Sequence, residues 1–293
     1  MRTLHTLLAT ATILTSIHGQ YGTFEPAAVK NAKNTTTVVV LDGGGTPYDR
    51  ALMEAVKSHW TFTGNTEFVT TAEMAARPIV PEQTYLMKVS RTDPVKFEGT
   101  FLMLVQGWKA KKGESLTWTA MGYTNVPSSQ ELASLLIDAK ALNEGPAGPM
   151  TGLYVKHLQD YLKLVEGGKV RDKATADRTY AGRTRLIREH DLLLAKEHLD
   201  KSLPGTDQVK EHYTARMSVK TLADVVAAVE RQDAALCVSD VVITMGDHRN
   251  KHCFKRVWNA GTGELMYQND DQAIFGKKEG FIDTDLKNLE RAR

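Results

Sequence analysis

A β-branched run that ends in a glycine turn constrains the fold of this chain most strongly. Thr37–Leu41 reads TVVVL, a continuous apolar run of the kind found in a parallel strand that is buried on both faces. Asp42 and three glycines end the run, and Thr46 then precedes Pro47 in the pattern of a helix N-cap. The apolar residues that follow share one helical face. This stretch therefore predicts strand, tight turn and helix, the opening of an α/β fold.

A similar order of elements recurs in the C-terminal half of the sequence. The matched segments, 150 to 153 positions apart, are His59–Thr61 with His212–Thr214, Thr70–Glu73 with Thr221–Asp224, Tyr85–Val89 with Ala235–Ser239, and Phe101 with Phe254. Offsets that drift by a few residues while the order of elements holds are typical of a repeated unit with loop insertions. Chance is the alternative, because such elements are common and the identities are few.

These patterns predict an α/β (or α+β) protein with two related α/β units, each with a mixed sheet, joined by a helical insert. The predicted boundaries are a signal peptide at 1–19, a polar lead-in at 20–35, a first unit at 36–125, a helical insert and linker at 126–187, a second unit at 188–275 and a polar tail at 276–293.

Two helices are predicted in the insert. Ser128-x-x-Glu131 has the form of a capping box, and apolar residues from Leu132 to Leu142 keep a helical spacing. A second helix is predicted over Leu153–Val165, before two glycines. The densely charged segment 171–190 predicts a solvated connection between the units. For the tail, a frayed surface terminus and a short amphipathic helix that docks on a partner are the two alternatives.

The N-terminus has the form of a cleaved secretory signal. A short basic start precedes the apolar run of residues 6–19, which is too short to span a bilayer and ends in small residues. Cleavage near Gly19 would leave no cysteine for a lipid anchor. We therefore expect a mature chain with no membrane span, in the periplasm or outside the cell; a buried apolar helix of a cytosolic domain is the alternative.

The two cysteines, Cys237 and Cys253, would meet an oxidising compartment after export. If 246–251 is a hairpin loop, Cys253 faces Ile243 or Thr244, and Cys237 lies far along the strand. We therefore expect two separate buried thiols and no disulfide.

The charge balance and the motifs exclude several classes of function. With 37 Lys and Arg against 35 Asp and Glu, the net charge of +2 gives no electrostatic case for nucleic-acid binding. His248-x-x-x-His252-Cys253 has metal-ligating residue types but is predicted on a hairpin with an incomplete ligand set, so we expect no metal and no cofactor. The other histidines (His157, His190, His198 and His212) are isolated in the sequence and are expected to be structural.

The candidate ligand-binding residues are Asp42, Gly43, Gly44, Gly45 and Thr46. Glycines between a strand and a helix expose backbone N–H groups that can hold an anion, although a plain tight turn is the simpler interpretation. The turn resembles the oxyanion hole of patatin-like lipid hydrolases. Their nucleophile lies in Gly-x-Ser-x-Gly, whereas the glycine pairs at that spacing here centre on Met150 and Lys278. The turn also resembles the phosphate loop of actin-like ATPases, which joins two strands and not a strand and a helix.

A wider resemblance covers scattered segments of the chain. The order TVVVLDGG, DRALMEAVKSHW and TEFVTTAEMAAR, with the closing segment Asn259–Leu265, is similar to exported α/β envelope domains of the CsgG and TolB-N type. That resemblance implies a non-enzymatic envelope protein that assembles with secretion or cell-wall machinery, although the lipobox cysteine of that family is absent. We therefore expect protein partners and no catalytic residue, with oligomerisation possible. The alternative is a secreted hydrolase or anion-binding enzyme that uses the Asp42–Gly45 turn.

Overall fold

The chain folds into two mixed β-sheets with helices packed against them, which confirms the predicted α/β class. The computed structural model describes residues 21–43, 45–93, 97–111, 115–244 and 251–292. Its helices are α1 (Pro26–Lys33), α2 (Pro47–His59), α3 (Thr71–Ala75), α4 (Ala139–Glu144), α5 (Met150–Glu166), α6 (Lys173–Thr184), α7 (Thr206–Lys210), α8 (Leu222–Glu230) and α9 (Asp283–Arg291). Its strands are β1 (Thr36–Leu41), β2 (Asn65–Thr70), β3 (Gln83–Asp93), β4 (Phe97–Gln106), β5 (Trp118–Thr119), β6 (Gly122–Tyr123), β7 (Glu131–Ile137), β8 (Asp191–Ala195), β9 (Met217–Lys220), β10 (Leu236–Ile243), β11 (His252–Asn259) and β12 (Leu265–Gln272).

The two sheets share one topology. The first has the order β2-β1-β3-β4-β7, with the short strands β5 and β6 beside β3, and the second has the order β9-β8-β10-β11-β12. In each sheet the first three strands are parallel and the next two pairings are antiparallel. Both α3 and α8 begin at a threonine capping box, at Thr70 and Thr221. The order of elements predicted to recur is therefore present in both halves.

The strand ladders fix which residues correspond between the two sheets. Phe101 pairs with Val89 in the first sheet, and Phe254 pairs with Val242 in the second. The predicted correspondence of the phenylalanines, 153 positions apart (254 − 101), therefore extends to their partners. The predicted alignment of the neighbouring strand, which matched Val89 with Ser239, is wrong by three positions. The segments resemble each other in apolar character, but only the ladder sets the register.

The two units share a hydrophobic core around α5. Leu158 of this helix, Leu86 and Leu104 of the first sheet, and Val238 and Trp258 of the second belong to the same buried cluster. The sheets are also joined directly, because the buried Arg256 of β11 donates a hydrogen bond to the carbonyl of β7 Leu136 at 2.8 Å. The halves therefore form one continuously packed body.

The first predicted helix of the insert is wrong. Residues 128–130 form a 3₁₀ turn, and 131–137 form strand β7 at the edge of the first sheet. Every residue from Leu132 to Ile137 is buried, because α5 packs on one face of the strand and a second apolar cluster on the other. A strand buried on both faces is apolar throughout, so its leucines also satisfy a helical spacing. The second predicted helix is confirmed as α5, whose C-cap is Gly167.

Three segments predicted to be polar, solvated or frayed contain packed helices. The lead-in contains the helix α1 with Val29 buried, and the charged segment contains the helix α6 with Tyr180 buried. The tail contains α9, whose Leu286 and Leu289 pack on the second sheet's outer face. Each helix buries only two or three residues, too few to stand out in a charged segment. The tail is thus neither frayed nor left free for a partner.

The predicted hairpin pairing is confirmed in the second sheet. Cys253 pairs with Ile243, and Cys237 lies at the far end of the same ladder. Both thiols are free and buried. Residues 246–250 of the predicted loop 246–251 lie outside the described residues, as does the predicted signal peptide. None of the helices in the described ranges has both the length and the apolar character that crossing a bilayer requires.

Candidate functional site

The turn after β1 is closed by a carboxylate of the protein itself. Asp49, in the first turn of α2, accepts hydrogen bonds from the backbone N–H groups of Asp42 (2.7 Å), Gly43 (3.2 Å) and Thr46 (3.1 Å). The Thr46 hydroxyl accepts the N–H of Asp49 in return at 3.0 Å, which completes a capping box. Gly44 lies outside the described residues. The anion position predicted at this turn is therefore filled by Asp49.

Electrostatics keep Asp49 ionised in this position. Burial raises the pKa of its carboxyl, but the hydrogen bonds from the backbone N–H groups of Asp42, Thr46 and Gly43 outweigh burial and hold the pKa below its ordinary value. At the described positions of this turn, the fold has no steric need for glycine. A Cβ at Gly43 or Gly45 would have nothing within 4 Å, and neither residue has a positive φ. The turn is thus held by a side chain and not by glycine geometry.

The Asp42 carboxylate points to a buried lysine. The Lys88 ammonium of β3 donates a hydrogen bond to Asp42 Oδ2, and the lysine side chain is 2% exposed against 18% for the aspartate. The same ammonium lies over the rings of Tyr48, 4.7 Å from its centroid, and Trp118, at 5.5 Å. Two strands and α2 therefore bring one ion pair and two aromatic rings together at the carboxyl end of the first sheet.

Two phenol groups near this ion pair have no hydrogen-bond partner. The hydroxyls of Tyr48 and Tyr123 are both buried and unpaired. Burial, together with the charge of Asp42, raises the pKa of Tyr123 to about 12 and that of Tyr48 well above its ordinary value. Buried unpaired hydroxyls are rare in folded proteins. The hydroxyls of Tyr48 and Tyr123 are two of the buried hydroxyls that the fold leaves unpaired.

The second unit builds the same fold without this ion pair. At the 153-position offset, Val241 occupies the place of Lys88. The loop after β8 instead uses Glu197, which accepts the backbone N–H of Leu222 at the start of α8 at 3.0 Å. Since a buried ion pair costs desolvation energy and an apolar residue serves in the equivalent strand, the sheet itself does not require Lys88.

The other buried polar clusters are structural. Asp240 accepts hydrogen bonds from the indole of Trp258 (3.0 Å) and the hydroxyl of Tyr154 (3.2 Å), and its carboxylate lies 2.8 Å from an Arg256 nitrogen. In the outer layer, Lys255 donates to Asp285 of α9 at 2.6 Å. These groups are paired within the protein, and they join elements to the sheets.

The histidines have structural surroundings. Burial lowers the pKa of His157 to about 3 and also lowers the pKa of His198, whose ring lies 2.9 Å from the hydroxyl of the buried Ser239. His190 contacts a backbone carbonyl, and His248 lies outside the described residues. Within the described ranges, no group of three His, Cys, Asp or Glu side chains could hold a metal ion.

Only part of the site was predictable from the sequence. The predicted residues Asp42, Gly43 and Thr46 do come together, but around Asp49 and not around an empty position. Lys88 was missed. Its signal in the sequence is a single lysine inside the apolar strand YLMKV, and a lysine there is also compatible with an exposed face.

Comparisons with protein-family models, with curated proteins and with solved structures find no significant match to this chain.

Proposed function

We propose that this chain is an exported, non-enzymatic protein of the cell envelope that binds protein partners as an assembly component, in the periplasm or outside the cell. The observation that carries the proposal is the closure of the Asp42–Thr46 turn by Asp49. An oxyanion hole or phosphate loop needs N–H groups that remain available to its ligand. Three such groups in this turn already serve a carboxylate of the protein, which supports a binding role over the hydrolase alternative.

The architecture supports a role in binding. The two units share one core, and the Arg256–Leu136 hydrogen bond joins their sheets, so the body has a fixed shape suited to recognition by its surface. Ile274 and Phe275 are large apolar side chains left 37% and 67% exposed in the loop after β12. Exposed apolar residues of this size are candidates for a partner contact.

Export is supported by the sequence of residues 1–19 alone. The buried thiols are compatible with an oxidising compartment, because a free thiol inside a core is protected from oxidation.

Cell fractionation with photo-crosslinking tests the proposal. A photoreactive amino acid at Phe275, with the exposed Lys169 as a control position, should capture a defined envelope protein from the native compartment, and mass spectrometry should find a mature chain without residues 1–19. An intact Met1 on protein from the cytosol, or a free monomer in every fraction, would refute the proposal.

A substrate panel separates binding from catalysis. Esters, phosphates and glycosides are incubated with the purified chain and with Asp42→Ala. We expect no turnover by either protein. Turnover that the substitution abolishes would establish the enzyme alternative instead.

A further inference from the structure

A cavity of about 280 Å³ lies between the two units, at the carboxyl end of the first sheet. Its walls come from the ends of β7 and β10, the start of β4 and the helix α4, and Lys88 of β3 lines it. In open α/β sheets, ligands bind outside the carboxyl ends of the strands. The usual position is between two adjacent strands whose connections run to opposite sides. Here β2 lies on one side of β1 and β3 on the other. The cavity lies on the β3 side of this position, at the same end of the sheet.

The cavity has a buried cation on its wall. Lys88 lines the cavity, whereas its partner Asp42 does not. Lys88 therefore contributes to the cavity wall, while its ammonium is paired with Asp42. Asn143 also lines the cavity, and its Oδ1 already accepts the backbone N–H of Tyr48 at 3.2 Å. Its amide nitrogen is thus left to donate. An ammonium and an amide donor are the groups that recognise a carboxylate.

A carboxylate of the protein lines the same cavity. Asp138 is the N-cap of α4, and its Oδ1 accepts the N–H of Ala141 at 2.9 Å. Its second oxygen is available to a cationic group of a ligand. The apolar part of the lining includes Leu136 of β7 and Val242 of β10, one from each unit. The lining thus includes two lysines (Lys88 and Lys140), two carboxylates (Asp138 and Glu144) and an aliphatic wall.

The structure assigns this cavity as the binding site of a small aliphatic zwitterion, a free amino acid or a dipeptide. The ligand carboxylate pairs with Lys88 and Asn143, its ammonium with Asp138, and its side chain with Leu136 and Val242. Size favours this class, because drug-sized ligands occupy roughly 300–1,000 Å³ and this cavity is slightly smaller. The second unit has Val241 in place of Lys88, so the site is not repeated.

Calorimetric titration of the purified full chain tests the assignment, independently of where the protein resides. The probes are leucine and the dipeptide Ala-Leu, with N-acetyl-leucine and leucinamide as analogues that each lack one charge. Leucine or Ala-Leu should bind, and removal of either charge should weaken binding at least tenfold. Equal affinity for the charged and capped probes, or no binding of any probe at 10 mM, would overturn the assignment.

Substitutions identify the residues involved. Asp138→Asn preserves a good N-cap and should remove the preference for a free ammonium. Asp172→Asn alters the N-cap of α6 in the same way and should leave binding unchanged. The double variant Lys88→Met with Asp42→Asn leaves no unpaired charge and should weaken the carboxylate contact at least tenfold; if it fails to fold, Asp138→Asn alone carries the test. Unchanged binding in Asp138→Asn would refute the site.

Discussion

The ion pair between Lys88 and Asp42 should contribute to the stability of the fold. The second sheet, which has Val241 at the equivalent place, provides the neutral replacement for comparison. The lysine side chain is 2% exposed and that of its partner 18%. Asp42→Asn leaves the ammonium with two aromatic rings and a neutral amide. Removal of one partner of a buried pair costs about 3–5 kcal/mol. We expect about 3 kcal/mol here, because the amide oxygen still accepts a hydrogen bond and the rings still attract the cation.

The other single variant should cost less. Lys88→Met fills the same space and leaves the Asp42 carboxylate, which is partly exposed and can be hydrated. We expect a loss of about 1–2 kcal/mol. The double variant places an apolar residue where the second sheet has Val241 and leaves no charge. Its free energy of unfolding should fall by only about 1 kcal/mol, because a neutral replacement of a buried pair is often nearly neutral.

Urea unfolding of the four proteins measures the coupling between the two side chains. The summed losses of the two single variants exceed the loss in the double variant by about 3–4 kcal/mol, which is the expected coupling energy. The pair Lys33–Glu166, with its lysine 50% exposed and an N–O distance of 3.2 Å, provides the matched control. Its coupling should stay below about 1 kcal/mol. Additive losses at Lys88 and Asp42 would show that the ion pair is not buried as described and would refute the reasoning.

Three further predictions concern other residues. Asp49→Asn should destabilise the protein by about 2–3 kcal/mol at pH 7 in urea unfolding, because an amide cannot accept all three N–H groups. Because the folded-state pKa of Asp49 is lowered, its contribution is fully present above pH 4 and is lost as the pH falls through that pKa, so acid should narrow the gap between variant and parent. Burial raises the pKa of Cys237 and of Cys253 to about 12, so neither thiol should react with a disulfide reagent at pH 8 until urea unfolds the chain. Gln232→Gly should not lower the melting temperature, because the exposed Gln232 follows α8 with a φ of 51° that glycine adopts without strain; a clear loss would indicate that the glutamine side chain stabilises the fold.

The elements that were predicted correctly are those whose sequences have strong local signals for a strand or a helix. The run Thr37–Leu41, the N-cap at Thr46 and the long apolar face of α5 each determine an element by short-range chemistry, and the structure has all three. The repeat was also predictable, because the threonine capping boxes at Thr70 and Thr221 mark equivalent places in the two halves.

The wrong predictions arose where tertiary packing decides the structure. The segment 131–137 satisfies a helical and a strand pattern equally, and only its pairing with β4 makes it a strand. Similarly, α9 lies in a charged segment that looks solvated. Its Asp285 is buried because Lys255, distant in sequence, pairs with it. When the partner of a buried charge is distant in the sequence, the sequence gives no local sign that the charge is buried.

In the candidate site, too, local sequence identified some features and tertiary contacts decided others. The turn was identified from its glycines, but its state depends on Asp49, which looks in the sequence like an ordinary acidic residue of a first helical turn. Capping accounts for Asp49 completely, since its hydrogen bonds all lie within the turn and its own helix. Lys88 has no such local role.

The repeat separates residues required by the fold from residues that serve another purpose. Both sheets need a capped helix after the second strand, and both have one. Only the first sheet has a lysine at the third strand, and at that place the second sheet has Val241. Because the two sheets have one topology, the shared features reflect folding. An unshared buried charge instead reflects the surroundings of one unit: Lys255, opposite Val241, pairs with Asp285 of α9, whereas the first sheet has Leu102 at that place. In the first unit the surroundings of Lys88 are its ion pair with Asp42 and the cavity that it lines.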